Sequence, residues 1–297
     1  MQVVGVRYRR TTPSSADERG LDAYAGSNVY ASASIPFDIE EPTIAFDELT
    51  GDAVEDIGRF NGKIANAIAG ARRSGSVILM TGGDCSHATG VVGGLQDAYG
   101  RDLRLGLVWF DAHGDFNTPA ISQSGSLGGM PVAVCAGLAH PSWRKGAHIR
   151  TPVPTSRIVL ACTRNLDVNE KALIRTTDAA MAALADNFPG EPLTESIERL
   201  SAECDAIYLH IDADILDQSL IPSHGNGEPD GPNIAQTVAG IDSVLSTGKV
   251  VAMALVSIYN TGGSGAVSVR SGIQLLRHGL ESWQGYGTAE LPFASSV

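Results

Sequence analysis

The feature that most constrains the fold is a set of short apolar runs that each end abruptly in polar residues. Segments with helical periodicity separate these runs, and the alternation indicates a mostly parallel sheet with helices on both faces. In such sheets, ligands bind outside the carboxyl ends of the strands. We therefore expect one cleft lined by five polar clusters, which lie around Asp84, Asp111, Asn165, Asp212 and Ser257.

The same patterns give the predicted boundaries of the elements. The predicted strands are 3–6, 76–80, 103–110, 157–162, 206–211 and 250–258. The predicted helices are 53–71, 86–99, 131–138, 178–186, 193–204, 233–245 and 265–280, and we interpret 11–36 as loop. Because the 297 residues show no internal repeat and no clear linker, we expect a single domain over 1–297.

Composition excludes several classes of partner. The net charge of −12 makes nucleic acid and anionic membranes poor partners.

The sequence also bears on the expected location of the protein. No apolar run approaches the ~20 residues that a bilayer crossing requires, and the N-terminal arginines follow an apolar run, the wrong order for a signal peptide. The four cysteines form no CxxC pair, which is typical of reduced thiols. We therefore expect a cytoplasmic protein.

Two clusters have the pattern of a metal site. The run Leu107–Phe110 is followed by Asp111, His113 and Asp115, and a second cluster contains Asp212 and Asp214. Side chains at alternate positions of an extended chain project to one side. Four carboxylates and one imidazole favour hard ions such as Mn²⁺ or Mg²⁺, and two ions about 3.5–4 Å apart balance the charge better than one.

At this point the residues resemble a known family. GGDCS at 82–86, DAHGD at 111–115 and DAD at 212–214 are similar to the three signature motifs of the arginase/agmatinase ureohydrolases. The resemblance extends from about Ser76 to the last helix. It implies a three-layer α/β/α fold and hydrolysis of guanidino or related amidino groups by a binuclear manganese centre, with two Mn²⁺ per chain.

The resemblance also implies a role for each ligand. Asp111 and Asp212 would bridge the two ions, and His113 and Asp214 would complete one of the sites. Asp115 would complete the other site, hydrogen-bond the bridging hydroxide and act in catalysis.

The first motif departs from the family pattern. Its last metal ligand is normally His, and this chain has Cys85 there. A thiolate is a soft ligand for a hard ion, but neighbouring dications lower the pKa of a thiol and allow ligation. We therefore expect Cys85 to bind a metal in a weaker or differently selective site. His87, two residues later, is interpreted as a surface or packing residue of the following helix.

Other positions resemble the residues with which arginases hold an amino acid. Asn117 and Ser124 resemble those that contact the α-carboxylate, and Asp167 and Glu170 resemble those near the α-ammonium. These loops are more similar to arginases than to agmatinases. The resemblance therefore implies a small-molecule substrate with an amino-acid head.

At the guanidino end the chain departs again from the family. Gly128 replaces the proton-shuttle His of arginases, and Ser257 replaces a Glu that faces the guanidinium. Asn226 stands where a Thr is expected near the guanidino group. His224 lies beside it, and we expect it to replace the missing shuttle as a catalytic residue, although a loop histidine is more commonly just exposed.

The missing carboxylate points to the substrate. A fully charged guanidinium that loses water needs a charged partner, and an N-hydroxyguanidine is less basic. Cys85 combined with the missing Glu resembles the Nω-hydroxy-L-arginine hydrolases of D-cycloserine-type antibiotic pathways. The resemblance favours hydrolysis of Nω-hydroxy-L-arginine to L-ornithine and hydroxyurea.

Three alternatives stay open at this point. The substrate could be L-arginine, another guanidino acid or formiminoglutamate. The losses at 85, 128 and 257 could instead mark an inactive ureohydrolase-like protein that only binds metal or a partner. A nucleotide-binding protein is disfavoured, because neither GxGxxG nor GxxxxGK[ST] follows a strand. Relatives commonly form trimers or hexamers, so a homo-oligomer is also expected.

Overall fold

The computed structural model describes residues 1–14 and 20–294. The strands are β1 Gln2–Val6, β2 Tyr8–Arg9, β3 Thr12–Pro13, β4 Asp38–Glu40, β5 Ile78–Gly82, β6 Leu105–Phe110, β7 Ile158–Ala161, β8 Ala180–Ala183, β9 Glu191–Pro192, β10 Ala206–Asp212 and β11 Val250–Val256. The α-helices are α1 Leu21–Gly26, α2 Ala53–Arg73, α3 Ala88–Tyr99, α4 Pro131–Cys135, α5 Pro141–Gly146, α6 Val168–Ile174, α7 Leu193–Glu203, α8 Ile234–Leu245 and α9 Gly265–Tyr286.

Nine strands form one central sheet in the order β4-β1-β5-β11-β10-β6-β7-β8-β9. Each neighbouring pair in it is parallel. Strands β2 and β3 pair separately as a short antiparallel hairpin. The predicted fold class, a three-layer α/β/α arrangement around a mostly parallel sheet, is confirmed. The prediction of a single domain over 1–297 stays a prediction.

Both faces of the sheet are buried, which explains why its central strands are continuously apolar. Alternate side chains of β6 enter different cores: Leu107 and Trp109 join one, and Val108 and Phe110 join the other. Helices α2 to α5 contribute to the first core, and α1 with α7 to α9 to the second. Ligands can therefore reach the ends of the strands but not the covered faces of the sheet.

Two of the predicted secondary-structure assignments are wrong. The segment 178–186, predicted as a helix, contains strand β8, whose Ala180 pairs with Val159 of β7. Its alanine-rich sequence favours a helix by propensity, but backbone pairing at the side of the sheet overrides that weak preference. The segment 11–36, predicted as loop, contains β3, α1 and a 3₁₀ turn at Val29–Ala33, while 15–19 lie outside the described residues.

All four cysteines are buried and free. Among the helices of residues 1–14 and 20–294, none combines the length and the apolar character that a bilayer crossing requires.

Candidate active site

The five polar clusters lie at the carboxyl ends of five adjacent strands, β5, β11, β10, β6 and β7. Together they line one cavity of about 570 Å³. All of the predicted site residues line it, namely Cys85, Asp111, His113, Asp115, Asn117, Ser124, Asp167, Glu170, Asp212, Asp214, His224, Asn226 and Ser257. The distances within the cavity therefore decide what these residues can do together.

The turn after β5 requires glycine. Gly82 and Gly83 have φ values of 76° and 67°, which L side chains rarely adopt. A Cβ on Gly82 would lie 2.6 Å from the Val6 carbonyl oxygen. This turn places Asp84 as the cap of the 3₁₀ turn Cys85–His87, where its side chain accepts a hydrogen bond from the Ser86 N–H at 3.1 Å. The turn thereby directs Cys85 into the cavity.

Three overlapping groups of donor atoms could each hold a metal ion. They are Cys85 with Asp111 and Asp212, Asp111 with His113 and Asp214, and Asp212 with Asp214 and His224. Within each group the donor atoms all lie within 4.8 Å of one another. Asp115 lines the same cavity but is not a member of these groups, so its predicted ligand role stays a prediction.

Burial and mutual repulsion make the acidic cluster unfavourable without a counter-charge. Burial and then repulsion by Asp111 raise the pKa of Asp214 to about 6. Burial and then Asp214 raise the pKa of Asp212, and burial with Asp111 raises that of Asp115 well above its usual range. Divalent cations would relieve this repulsion, and oxygen with imidazole donors suits Mn²⁺. The donor set therefore fits a binuclear hard-metal centre.

His113 bridges the acidic cluster and a carboxylate that sequence reasoning missed. Its Nδ1 lies 3.0 Å from Asp214 Oδ2 and 3.4 Å from Asp111 Oδ1. Its Nε2 lies 3.4 Å from Oε1 of Glu228, which also accepts a 2.6 Å hydrogen bond from Asn165 Nδ2. Burial lowers the pKa of His113, but hydrogen bonds to Asp111 and Asp214 outweigh that effect and raise it to about 12.

Cys85 lies at the other end of the acidic cluster. Its Sγ is 2.8 Å from Asp212 Oδ2 and 3.5 Å from Asp111 Oδ2. Burial, and then the charges of nearby carboxylates led by Asp212, raise the pKa of the thiol well above its usual range. The protein alone therefore keeps the thiol protonated, and a cation that binds there must displace the proton.

Behind Cys85 lies a histidine to which sequence reasoning gave no role. His210 Nε2 is 3.3 Å from Cys85 Sγ, and its Nδ1 is 2.8 Å from the Tyr208 hydroxyl. Burial lowers the pKa of His210 to about 3, so its ring is neutral. A signal existed in the sequence, because 208, 210 and 212 alternate along one strand and therefore share a face.

The predicted amino-acid end of the cavity is hydrogen-bonded internally. Asn117 Nδ2 donates to Asp167 Oδ2 at 3.3 Å, and Asn117 Oδ1 is buried with no partner among the described residues. Both carboxylate oxygens of Glu170 accept backbone N–H groups, from Phe116 at 2.9 Å and from Asp167 at 3.3 Å. Glu170 thus holds the two loops together, and its contact with substrate stays a prediction.

Ser124 lies on the exposed rim of the cavity. Its hydroxyl accepts a hydrogen bond from the Ser126 N–H at 3.2 Å. Its predicted contact with an α-carboxylate stays a prediction, although the hydroxyl lines the cavity.

The opposite end of the cavity carries Ser257, His224 and Asn226. Ser257, held at a φ of 62°, donates a 2.6 Å hydrogen bond to Asp212 Oδ2. The side chain of His224 is only 7% exposed, and its Nε2 lies 3.6 Å from Asp212 Oδ1. That nitrogen has no hydrogen-bond partner among the described residues. Nδ1 of His224 accepts the N–H of the exposed Asn226 at 3.2 Å.

The loop 223–232 that carries these residues is held by Arg164. Its guanidinium donates to five backbone carbonyls at 3.0 to 3.2 Å. These are the carbonyls of Asp214, Ile215, Leu216, Glu228 and Pro229. The loop is thereby joined directly to the chain segment that bears Asp214.

His87 is a packing residue rather than a surface residue. It is fully buried at the end of the 3₁₀ turn, just before α3. Its Nε2 lies 2.9 Å from the Arg10 carbonyl oxygen. This contact joins the N-terminal hairpin to the first motif.

The chain is similar in sequence to known proteins. The family described as Arginase family matches residues 14–280. The arginase of Bacillus caldovelox is 33% identical over 172 residues, which are 57% of this chain and 56% of that protein. The arginase of Neurospora crassa is 29% identical over 236 residues, 73% of this chain and 64% of that protein. The matched regions thus span less than two thirds of these two relatives.

Solved structures share the fold over almost the whole chain. The arginase of Bacillus cereus superimposes with a TM-score of 0.76 at 22% identity, covering 94% of this chain and 97% of that one. Entamoeba histolytica arginase in complex with L-ornithine has a TM-score of 0.78 at 21% identity, with the same coverage. The family match over residues 14–280 shows that the chain belongs to the arginase family.

Proposed function

We propose that the protein is a binuclear manganese hydrolase that converts Nω-hydroxy-L-arginine and water to L-ornithine and hydroxyurea. In this reaction the bond between the amidino carbon and the δ-nitrogen breaks, and a bond from that carbon to the water oxygen forms. The observation that carries the proposal is the neutral Ser257 beside Asp212, where the family pattern has a glutamate.

Two of the three donor groups, together with Asp115 as the family resemblance implies, give the residues that would hold the ions. One ion would be held by Cys85, Asp111, Asp115 and Asp212, and the other by His113, Asp214 and the same Asp111 and Asp212. When bound, two such ions supply the positive charge that makes water a nucleophile at neutral pH. Every other step depends on the chain's own residues.

The amidino end favours a weakly basic group. Ser257 is 3% exposed, and its hydroxyl is already donated to Asp212, so this wall offers a substrate no negative charge of its own. A guanidinium that loses its water shell here would lack a counter-ion. A hydroxyguanidine loses less binding free energy when no counter-ion is present, because its electron-withdrawing oxygen makes it a weaker base.

The other end fits an amino-acid head. Asp167 would accept the α-ammonium, and Asn117 with Ser124 would contact the α-carboxylate. Asn117 Oδ1 is buried with no partner among the described residues, and because an amide oxygen only accepts, it supports a ligand with an N–H donor, such as an α-ammonium, at this end. The Entamoeba histolytica arginase structure is described in complex with L-ornithine, which is the amino-acid product that the proposal requires.

Protons would move through Asp115 and His224. Nδ1 of His224 accepts the Asn226 N–H, and its Nε2 lies 3.6 Å from Asp212 Oδ1 without a hydrogen-bond partner among the described residues. His224 would therefore relay to the departing amine the proton that Asp115 takes from the attacking water. Asp115 would orient the attacking water and accept its proton. Asn226 would contact the amidino group from the rim.

The direct test compares the Mn²⁺-loaded protein on L-arginine, agmatine and Nω-hydroxy-L-arginine, with ornithine or putrescine as the measured product. We expect the highest kcat/KM on hydroxyarginine. The variant Ser257→Glu should shift the ratio of kcat/KM values toward L-arginine by about 10-fold or more, since the coupling energy of a close interfacial charge pair is about 1.5 kcal/mol or more. Ser142→Glu, at an exposed position of α5 outside the cavity, is the control.

Each other outcome would support one of the rivals. Faster ornithine release from L-arginine than from hydroxyarginine would contradict the proposal and support an arginase, the name of the relatives above. Formiminoglutamate is included because the formimidoylglutamase of Bacillus subtilis shares the fold at a TM-score of 0.69 and 14% identity. No turnover of any substrate by the metal-loaded protein would support a protein that only binds metal.

A further inference from the structure

The Cys85 sulfur has three polar neighbours, and one of them is not an acid. Two are the carboxylates of Asp212 and Asp111, with which it would share a cation. The third is Nε2 of His210, at 3.3 Å. A cation would take the place of the thiol proton between the sulfur and the carboxylates, but it would leave the contact with His210 intact.

We propose that His210 is a positioning residue that holds the Cys85 sulfur at the cation site through an N–H···S hydrogen bond, and that Tyr208 orients His210. The inference rests on the proposed ligation of a metal by Cys85. It assigns a role to two residues of β10 that lie outside the predicted ligand set.

The hydrogen-bond directions are mutually consistent. The Tyr208 hydroxyl donates to Nδ1 of His210, which leaves the ring proton on Nε2 to be donated to the sulfur. The thiol in turn points toward Asp212 Oδ2. If the ring proton were on Nδ1 instead, Nε2 would be an acceptor. The thiol would then have to donate to both His210 and Asp212, although it carries only one proton.

The imidazole is also fixed by packing. His210 stacks on the indole of Trp109 with centroids 3.8 Å apart and an angle of 14° between the planes. Trp109 Nε1 donates to Asp111 Oδ2 at 3.1 Å. All three rings, of Tyr208, His210 and Trp109, are fully buried. The ring plane, and hence the direction of the N–H group, is set by the core of the sheet.

This arrangement addresses the mismatch between a thiolate and a hard ion. A hydrogen bond to a ligating sulfur draws electron density from it, and partners of this kind tune metal affinity. The family's imidazole ligand has been replaced by sulfur, and an imidazole directly behind that sulfur orients it and moderates its softness. The pair Cys85 and His210 would thus act as one unit.

The test is a titration of the full chain with Co²⁺, whose thiolate charge-transfer absorption in the near ultraviolet reports sulfur ligation. We expect the band in the parent protein and none in Cys85→Ser. His210→Phe, which keeps an aromatic ring against Trp109, should weaken Co²⁺ binding at this site by about 10- to 100-fold and shift the band. Tyr208→Phe should have the same effect in a smaller degree.

Two controls separate positioning from a general loss of structure. Tyr24→Phe removes another fully buried hydroxyl that does not line the cavity, and it should leave the band unchanged. Tyr208→Phe combined with Cys85→Ser should bind Co²⁺ within about twofold of Cys85→Ser alone, because the hydroxyl acts only through the sulfur.

The inference is overturned if the band and the Co²⁺ affinity of both single variants equal those of the parent, or if the losses persist in the Cys85→Ser background. Absence of the band in the parent would refute Cys85 ligation and the inference with it. The outcome is independent of substrate. Failure to turn over hydroxyarginine alongside the expected band would refute the proposed reaction and leave this inference standing.

Discussion

The two ends of the acidic cluster use opposite kinds of support. At one end, Cys85 is backed by His210, which lies in the interior of β10 and can donate a hydrogen bond to sulfur. At the other end, His113 is backed by Glu228, a carboxylate on a loop. A sulfur ligand accepts hydrogen bonds and an imidazole ligand donates one, so each partner would match the need of the metal ligand that we propose beside it.

The two ends also differ in rigidity and exposure. The side chain of His113 is 28% exposed, whereas Cys85 is 6% exposed and its supporting rings are fully buried. A loop residue adjusts to a change of ligand geometry more readily than a residue inside a parallel sheet. The comparison therefore predicts one permissive metal site and one selective one.

The largest effect should come from the residue that both ends share. Asp111→Asn removes a donor from two of the three groups, and we expect loss of stoichiometric metal at both sites and at least a 10³-fold fall in kcat/KM. Metal content by elemental analysis and a turnover assay measure this. Asp178→Asn, an exposed position outside the cavity, is the matched control. Two bound metals in Asp111→Asn would show that the ends do not share a ligand.

The second-largest effect should come from a variant that changes only one end of the acidic cluster. His113→Ala removes the imidazole of one end only, so the protein should bind one Co²⁺ per chain and keep the thiolate charge-transfer band. Stoichiometry from a calorimetric titration, read together with the absorption spectrum, checks the prediction. Simultaneous loss of the band would mean that the first site cannot form without the second.

The smallest effect should come from the loop partner. Glu228→Gln keeps the size of the side chain but weakens its hold on the His113 ring, and it should reduce metal affinity at that end by about 10- to 100-fold. Asp230→Asn makes the same change of charge on the same loop. Equal losses in both variants would attribute the effect to the net charge of the loop and not to the contact with His113.

The parts of the site that sequence reasoning predicted share one property, a local periodicity. The side chains of Asp111 and His113, and of Asp212 and Asp214, follow strands at alternate positions, and the parallel sheet brings the ends of those strands together. Cys85 is identified by its place in the first motif, where the family pattern has His. In each case a few neighbouring residues contained enough information.

The residues that were missed depend on distant segments. Glu228 reaches His113 only because Arg164, more than fifty residues earlier, fixes the backbone of its loop. His210 has a partner only because the turn after β5 directs Cys85 toward it. The sequence of strand β8 predicts a helix because alanine favours one, and only the pairing of β8 with β7 overrides that preference. No short pattern contains such long-range information.

The hydrogen bonds from Arg164 to five backbone carbonyls affect how molecules enter and leave the cleft. Swinging the 223–232 loop outward would break the bonds to Glu228 and Pro229, because the same side chain is also bound to the segment 214–216. We therefore expect a mouth that keeps its width and not a hinged lid, so that molecules are selected by their fit to an existing opening.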